Sequence, residues 1–89
     1  LKFAVWNVEA KLGKLSEMGD EFWSCVPDVD VFIASETGLV GSDTSTYPAD
    51  RFVDSWFNQR AQWLKGGGVA VFWSSRAASL QKMVLLRLL

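Results

Sequence analysis

The sequence contains no histidine and one cysteine, Cys25. Without histidine, neither a Ser-His-Asp nor a Cys-His nucleophile can be assembled within this chain. A single cysteine excludes an intrachain disulfide, fits a reducing compartment and, with no imidazole to help, argues against a zinc site. We therefore expect an intracellular protein. Charge of one sign is also missing: nine Lys and Arg stand against ten Asp and Glu, for a formal net charge of −1. That balance gives no long-range field for nucleic acid or acidic membranes. Affinity for phosphate would have to come from local groups or a bound cation. No apolar run approaches the ~20 residues of a membrane span, so no membrane partner is expected. The chain does not open on a basic segment followed by a long apolar stretch, so no signal peptide is read. There is no internal repeat, and no low-complexity segment beyond the glycines 66–68.

What is present is apolar and aromatic. Of 89 residues, 49% are hydrophobic and 13% aromatic, with five Trp. A chain this short buries only roughly 60–65% of the surface it exposes when unfolded. The composition suits either a very efficient small core or one part of a larger body. The chain begins at Leu1 without Met and ends VLLRLL in mid-pattern. Both ends are read as cuts.

Residues 2–8, KFAVWNV, are nearly continuous in apolar character, which predicts a strand covered on both faces. Over 11–26 the period changes. Leu12, Leu15, Met18, Phe22 and Val26 fall three or four apart, as on one stripe of a helix, with charges on the other side. Gly13 and Gly19 weaken that helix and Pro27 closes it. DVDVFIASE, 28–36, alternates as a second strand. Strand, helix and strand with short links predict a βαβ unit with parallel strands. Residues 37–50, TGLVGSDTSTYPAD, are a polar loop, long enough to be functional or disordered. Three short strands are predicted after it, over 51–57, 68–74 and 80–89. Turn-rich GGG and SSRAAS join them, as a β-meander. The fold class expected is α/β, or α+β with a mixed sheet.

This topology acts on three oxygen-bearing side chains. Asn7 and Glu9 end the first strand and Glu36 ends the second. Parallel strands finish at one edge, where open α/β sheets bind ligands. Amide and carboxylate oxygens are hard donors suited to Mg²⁺ or Mn²⁺. Taken singly, each is an ordinary polar residue at a strand end. Together they make an oxygen-rich edge, and topology alone leaves both readings open.

FAVWNVEA, PDVDVFIASETGL and GGGVAVFWSS, in this order and spacing, resemble three segments of the endonuclease/exonuclease/phosphatase superfamily. The first is similar to its opening strand, which ends in Trp-Asn. The second is similar to its Pro-Asp…Glu-Thr segment, and the third to a Gly-Gly-Val strand of non-LTR retrotransposon endonuclease domains. The superfamily also includes deoxyribonuclease I and the exonuclease III-type apurinic endonucleases. The resemblance implies a metal-dependent phosphodiester hydrolase that cleaves DNA by in-line attack of water, with a nuclear location among those expected. It implies Glu36 as principal ligand of Mg²⁺ or Mn²⁺. Asn7 would orient phosphate or the metal's water, and Glu9 would stand near the metal. Tyr47 and Arg51 lie where substrate contacts often fall. The family's fold is a four-layer αββα sandwich. Residues 1–89 would be its N-terminal portion, truncated on the C-terminal side. The His, Asp and Asn half of the site, in Ser-Asp-His and Asp-x-Asn motifs, has no counterpart here. The expectation is a fragment that is inactive alone, lacks the rest of its domain and is either marginally stable or self-associating.

Other features have plainer readings. A phosphate loop needs G-K and a hydroxyl residue before a helix, whereas a strand is predicted after 66–68. Those glycines are read as a turn. Trp6 and Trp73 are read as core, Trp63 as packed, and Cys25 as a buried spacer. Arg51, Arg60, Lys65 and Arg76 read by default as surface charge. Two alternatives stand beside the enzyme reading. One is a small α/β interaction module, the other a degenerate remnant without activity.

Overall fold

The computed structural model describes residues 1–9, 11–40, 44–58 and 67–79. Four five-residue strands form where β-branched and aromatic residues cluster: β1 (Phe3–Asn7), β2 (Val31–Ser35), β3 (Asp54–Asn58) and β4 (Val69–Trp73). Two short helices, α1 (Leu12–Glu17) and α2 (Asp20–Trp23), lie between β1 and β2. Residues 75–79 are also helical. The strands make one mixed sheet in the order β1-β2-β4-β3. β1 and β2 are parallel, and the other two pairs are antiparallel. The α+β class and the parallel opening pair match the sequence reading.

Alternation along the strands decides what is buried. Phe32, Ala34, Ala70 and Phe72 are fully buried on one face of the two central strands. Leu12, Phe22, Trp23 and Val26 pack on that face from the helical side, with Leu39 and Phe52 from the long connection. Phe72 is the hub. The rings of Trp23, Phe32, Tyr47, Phe52 and Phe57 all lie 5.5–6.0 Å from it, centre to centre.

Several expectations are corrected. The helix predicted over 11–26 is two helices, because Gly19 takes φ +64°, outside the helical region. The break turns Met18 outward, to 52% exposure. Among the described residues β1 is not covered on both faces: it lies at the edge of the four-stranded sheet, and Phe3 and Val5 are exposed. Trp6 meets Phe22 at 5.5 Å yet stays 39% exposed, so it borders the core rather than filling it. Trp73 is half-buried on the opposite face. Cys25 is exposed, its thiol donating to the Glu21 carbonyl oxygen at 3.4 Å. SSRAAS does not form a turn. Ser74 starts the helical segment 75–79 by accepting from the Ala77 N–H through its hydroxyl, at 3.3 Å. The strand predicted over 80–89, and the readings of Trp63, Arg60 and Lys65, lie outside the described residues.

Candidate functional site

The carboxyl edge of the parallel pair is built by strand register. Asn7 pairs with Ser35, and the Val8 N–H donates to the Ser35 carbonyl at 3.1 Å. Glu36 follows directly, so Asn7 and Glu36 emerge from neighbouring strands at one end of the sheet. The Glu9 N–H donates to Asn7 Oδ1 at 2.9 Å, an Asx turn that reverses the chain after β1. Asn7, Glu9 and Glu36 are all exposed.

Among the described residues, Glu9 and Glu36 are the two non-glycine residues with positive φ, both at 52°. A side chain in this left-handed region costs about 1 kcal/mol or more. The cost is incurred twice, at two carboxylates, at the same edge. Such strain persists only where neighbours fix the backbone, and here they do. Thr37, 1% exposed, donates its N–H to the Gly68 carbonyl at 3.3 Å. Its own carbonyl accepts from the Leu12 N–H at 3.3 Å, and its hydroxyl from the Leu39 N–H at 3.2 Å. The Gly38 N–H donates to the Gly67 carbonyl at 3.1 Å. Glu36 is therefore set by a clamp between the start of α1 and the glycine entry to β4. A Cβ on Gly68 would meet Thr37 Oγ1 at 2.7 Å, so glycine is what lets the clamp close.

Asn7 and Glu9 share a depression of about 220 Å³ with Trp6, Val8, Lys11 and Leu15. Glu36 does not line it. Among the described residues, no three His, Cys, Asp or Glu side chains gather closely enough to hold a metal on their own. The donors this edge offers are the Glu36 and Glu9 carboxylates and the remaining lone pair of Asn7 Oδ1. That set suits a cation held mostly by water and phosphate, as Mg²⁺ commonly is.

Tyr47 and Arg51 are not brought to this edge. The Tyr47 ring packs edge-on against Phe72. Arg51 donates from Nη1 to the Trp23 carbonyl at 2.7 Å, and from Nη2 to those of Val26 and Pro27 at 3.1 and 2.6 Å. Its guanidinium also lies 5.3 Å from the centre of the Phe52 ring. These contacts place it before β2, whereas Glu36 comes after, roughly 16 Å away along a five-residue strand. Arg51 shares a second depression, of about 420 Å³, with Lys2, Asp28, Asp30, Asp50 and Arg76. There Asp30 accepts from the Lys2 N–H at 3.0 Å and the Ser74 hydroxyl at 3.1 Å. The Lys2 bond is the largest influence and outweighs an opposing effect of desolvation; with the lesser help of the Ser74 bond and the nearby Arg76 charge, it holds the Asp30 carboxyl below the ordinary 3.8.

Sequence reasoning missed Thr37 and Asp30 as positioning residues. Asp30 had a signal, an acid directly preceding an apolar strand. Thr37 had none, because its burial depends on β4 returning beside β2. Comparison of the chain with family models, characterised proteins and solved structures finds no match to any of them.

Proposed function

We propose that this chain supplies the first part of a Mg²⁺- or Mn²⁺-dependent phosphodiesterase domain of the endonuclease/exonuclease/phosphatase type, acting on DNA and inactive by itself. The observation that carries the reading is the shared carboxyl edge of β1 and β2, with Asn7 and Glu9 at the end of one strand, Glu36 at the end of its parallel neighbour, and both glutamates held at positive φ. Glu36 would be the principal ligand, Glu9 a secondary one, and Asn7 would orient water or phosphate. A bound cation would supply charge stabilisation to a phosphodiester under attack. This chain's residues hold and orient. They provide no general base, which typically contributes about 10²–10⁴-fold.

The test is Mn²⁺ binding to the 89-residue chain, read by electron paramagnetic resonance. Weak binding is expected, with a dissociation constant of about 1 mM, corresponding to about 4 kcal/mol. Glu36→Gln should abolish it and Glu9→Gln should weaken it less. No Mn²⁺ binding, or binding indifferent to Glu36→Gln, would sink the reading. With Mg²⁺ and supercoiled DNA, the chain should show no cleavage above background.

A further inference from the structure

Beside the carboxyl edge lies the depression of about 220 Å³ formed by the end of β1 and the start of α1. It is smaller than the roughly 300–1,000 Å³ of a cofactor pocket, and so suits one planar ring system with its substituents outside. Its lining combines several chemistries. Trp6 supplies an indole that is 39% exposed, although its ring centre lies 5.5 Å from that of Phe22. Phe22 is buried, so a core residue holds the indole in place. Val8 and Leu15 add apolar surface. Asn7 and Glu9 bring an amide and a carboxylate, tied by the bond from the Glu9 N–H to Asn7 Oδ1 at 2.9 Å. That bond uses one lone pair of the amide oxygen and leaves the NH₂ group to donate. Lys11 brings an exposed cation. Its carbonyl accepts from the Leu15 N–H at 2.8 Å, so it opens the first turn of α1, with the exposed Lys14 next to it at helical spacing.

We propose that this depression binds one unstacked base of a single-stranded nucleic acid, with the adjoining phosphate at Lys11. Every base has a π-face that stacks on an aromatic ring, whatever its identity. Its polar edge carries donors and acceptors, which the Asn7 amide and the Glu9 carboxylate can meet. Lys11 and Lys14 neutralise phosphates along the strand. Other ligands match fewer of these groups. A neutral sugar would lie on the indole and leave both lysines unused. An apolar peptide side chain would bury the Asn7 and Glu9 polar groups without partners. A base inside a duplex is already stacked and paired, so its face is closed to Trp6.

With a formal net charge of −1, the chain has no long-range attraction for a polyanion. Stacking on Trp6 must therefore supply most of the affinity, and binding is weak. Asn7 belongs both to the depression and to the carboxyl edge, so a strand seated on Trp6 brings its phosphate toward that edge. The inference deepens the phosphodiesterase reading, and rests on it, by naming the substrate as a single-stranded stretch.

The experiment is fluorescence anisotropy of a labelled oligothymidylate of about six residues, titrated with the 89-residue chain at low salt in EDTA. Chelating divalent ions separates the depression from the metal edge. The expected dissociation constant is about 10⁻⁴ M, the weak end of sequence-independent binding. Trp6→Ala should weaken binding at least about fivefold, the loss of one stacked base, and Trp6→Phe should recover most of it. Unchanged far-ultraviolet circular dichroism should show that Trp6→Ala folds. Lys11→Gln, on an exposed side chain, decides if it does not. That variant should weaken binding about threefold and reduce the slope of log affinity against log salt by about 0.7. An abasic strand of the same length and label should bind at least about fivefold more weakly. Trp6→Ala should leave the affinity for a hairpin duplex unchanged, and Glu36→Gln should leave oligothymidylate binding unchanged in EDTA. No binding at about 1 mM protein would overturn the proposal. So would equal affinity for the abasic strand, indifference to Trp6→Ala or to Lys11→Gln, or an equal effect of Trp6→Ala on the hairpin. Failure here with Mn²⁺ binding at Glu36 intact removes the single-strand inference alone. Base-dependent binding at Trp6 without any Mn²⁺ binding removes the phosphodiesterase reading and keeps the depression as a nucleic-acid site.

Discussion

Gly68 and Gly19 both have positive φ, +86° and +64°, but only Gly68 is also crowded. A methyl group there would meet Thr37 Oγ1 at 2.7 Å and the Asn58 carbonyl oxygen at 3.4 Å, while nothing lies within 4 Å at Gly19. Gly19 has ψ −127°, outside the left-handed helical basin, so Gly19→Ala should cost backbone strain alone, about 2 kcal/mol. Gly68→Ala should cost about 3 kcal/mol, as the clamp that sets Glu36 must also open. Urea denaturation of the two variants separates the effects, and equal losses would show that the clamp carries no extra energy. At this scale the sequence was partly legible. Asn7, Glu9 and Glu36 could be picked out as strand-end oxygens. Their left-handed conformation could not, because it depends on bonds from Thr37 to two other elements.

The helices show how little of this fold is locally stable. α2 has four residues and α1 six, far short of the length at which a helix persists alone. α2 is held by burial of Phe22 and Trp23 and by Arg51, whose guanidinium satisfies the Trp23 carbonyl and two that follow it. Arg51→Met should keep much of the side chain's packing yet lose these charge-assisted bonds, lowering stability by about 2 kcal/mol in urea. Arg51→Lys should recover only part of the loss, since an ammonium cannot span three carbonyls as a planar fork does. Full recovery by lysine would mean that charge, not geometry, matters at this corner. Strand positions were legible to within a few residues because alternation is a local signal. The helix over 75–79 was hidden because Ser-Ser followed by small residues serves a turn as readily as a helix start. Arg51 was placed among substrate contacts because its partners lie 24 to 28 positions away in the chain.

For the molecule as a whole, the core is one aromatic cluster on one face of one sheet. Phe72 touches rings from β2, β3, α2 and the long connection. Removing a buried phenylalanine ring typically costs about 3–5 kcal/mol. That rivals the whole stability of a small domain, about 5 kcal/mol at the low end. Phe72→Ala should abolish the cooperative thermal transition seen by near-ultraviolet circular dichroism. A variant that still melts sharply would show that the cluster is less central than its geometry implies.

Sequence alone determined the α+β class, the parallel opening pair and the oxygens at the carboxyl edge, because period and chain order are local properties. Tertiary structure decided that Tyr47 and Arg51 support the fold away from that edge. It decided too that Phe32, Ala34, Ala70 and Phe72 are buried while, among the described residues, Phe3, Val5 and Trp56 on the opposite sheet face are exposed. Alternating Val, Ile, Phe and Trp look alike on both sides of a strand. Which side is covered depends on where the helices and the long connection come to lie, and that is a property of the assembled chain.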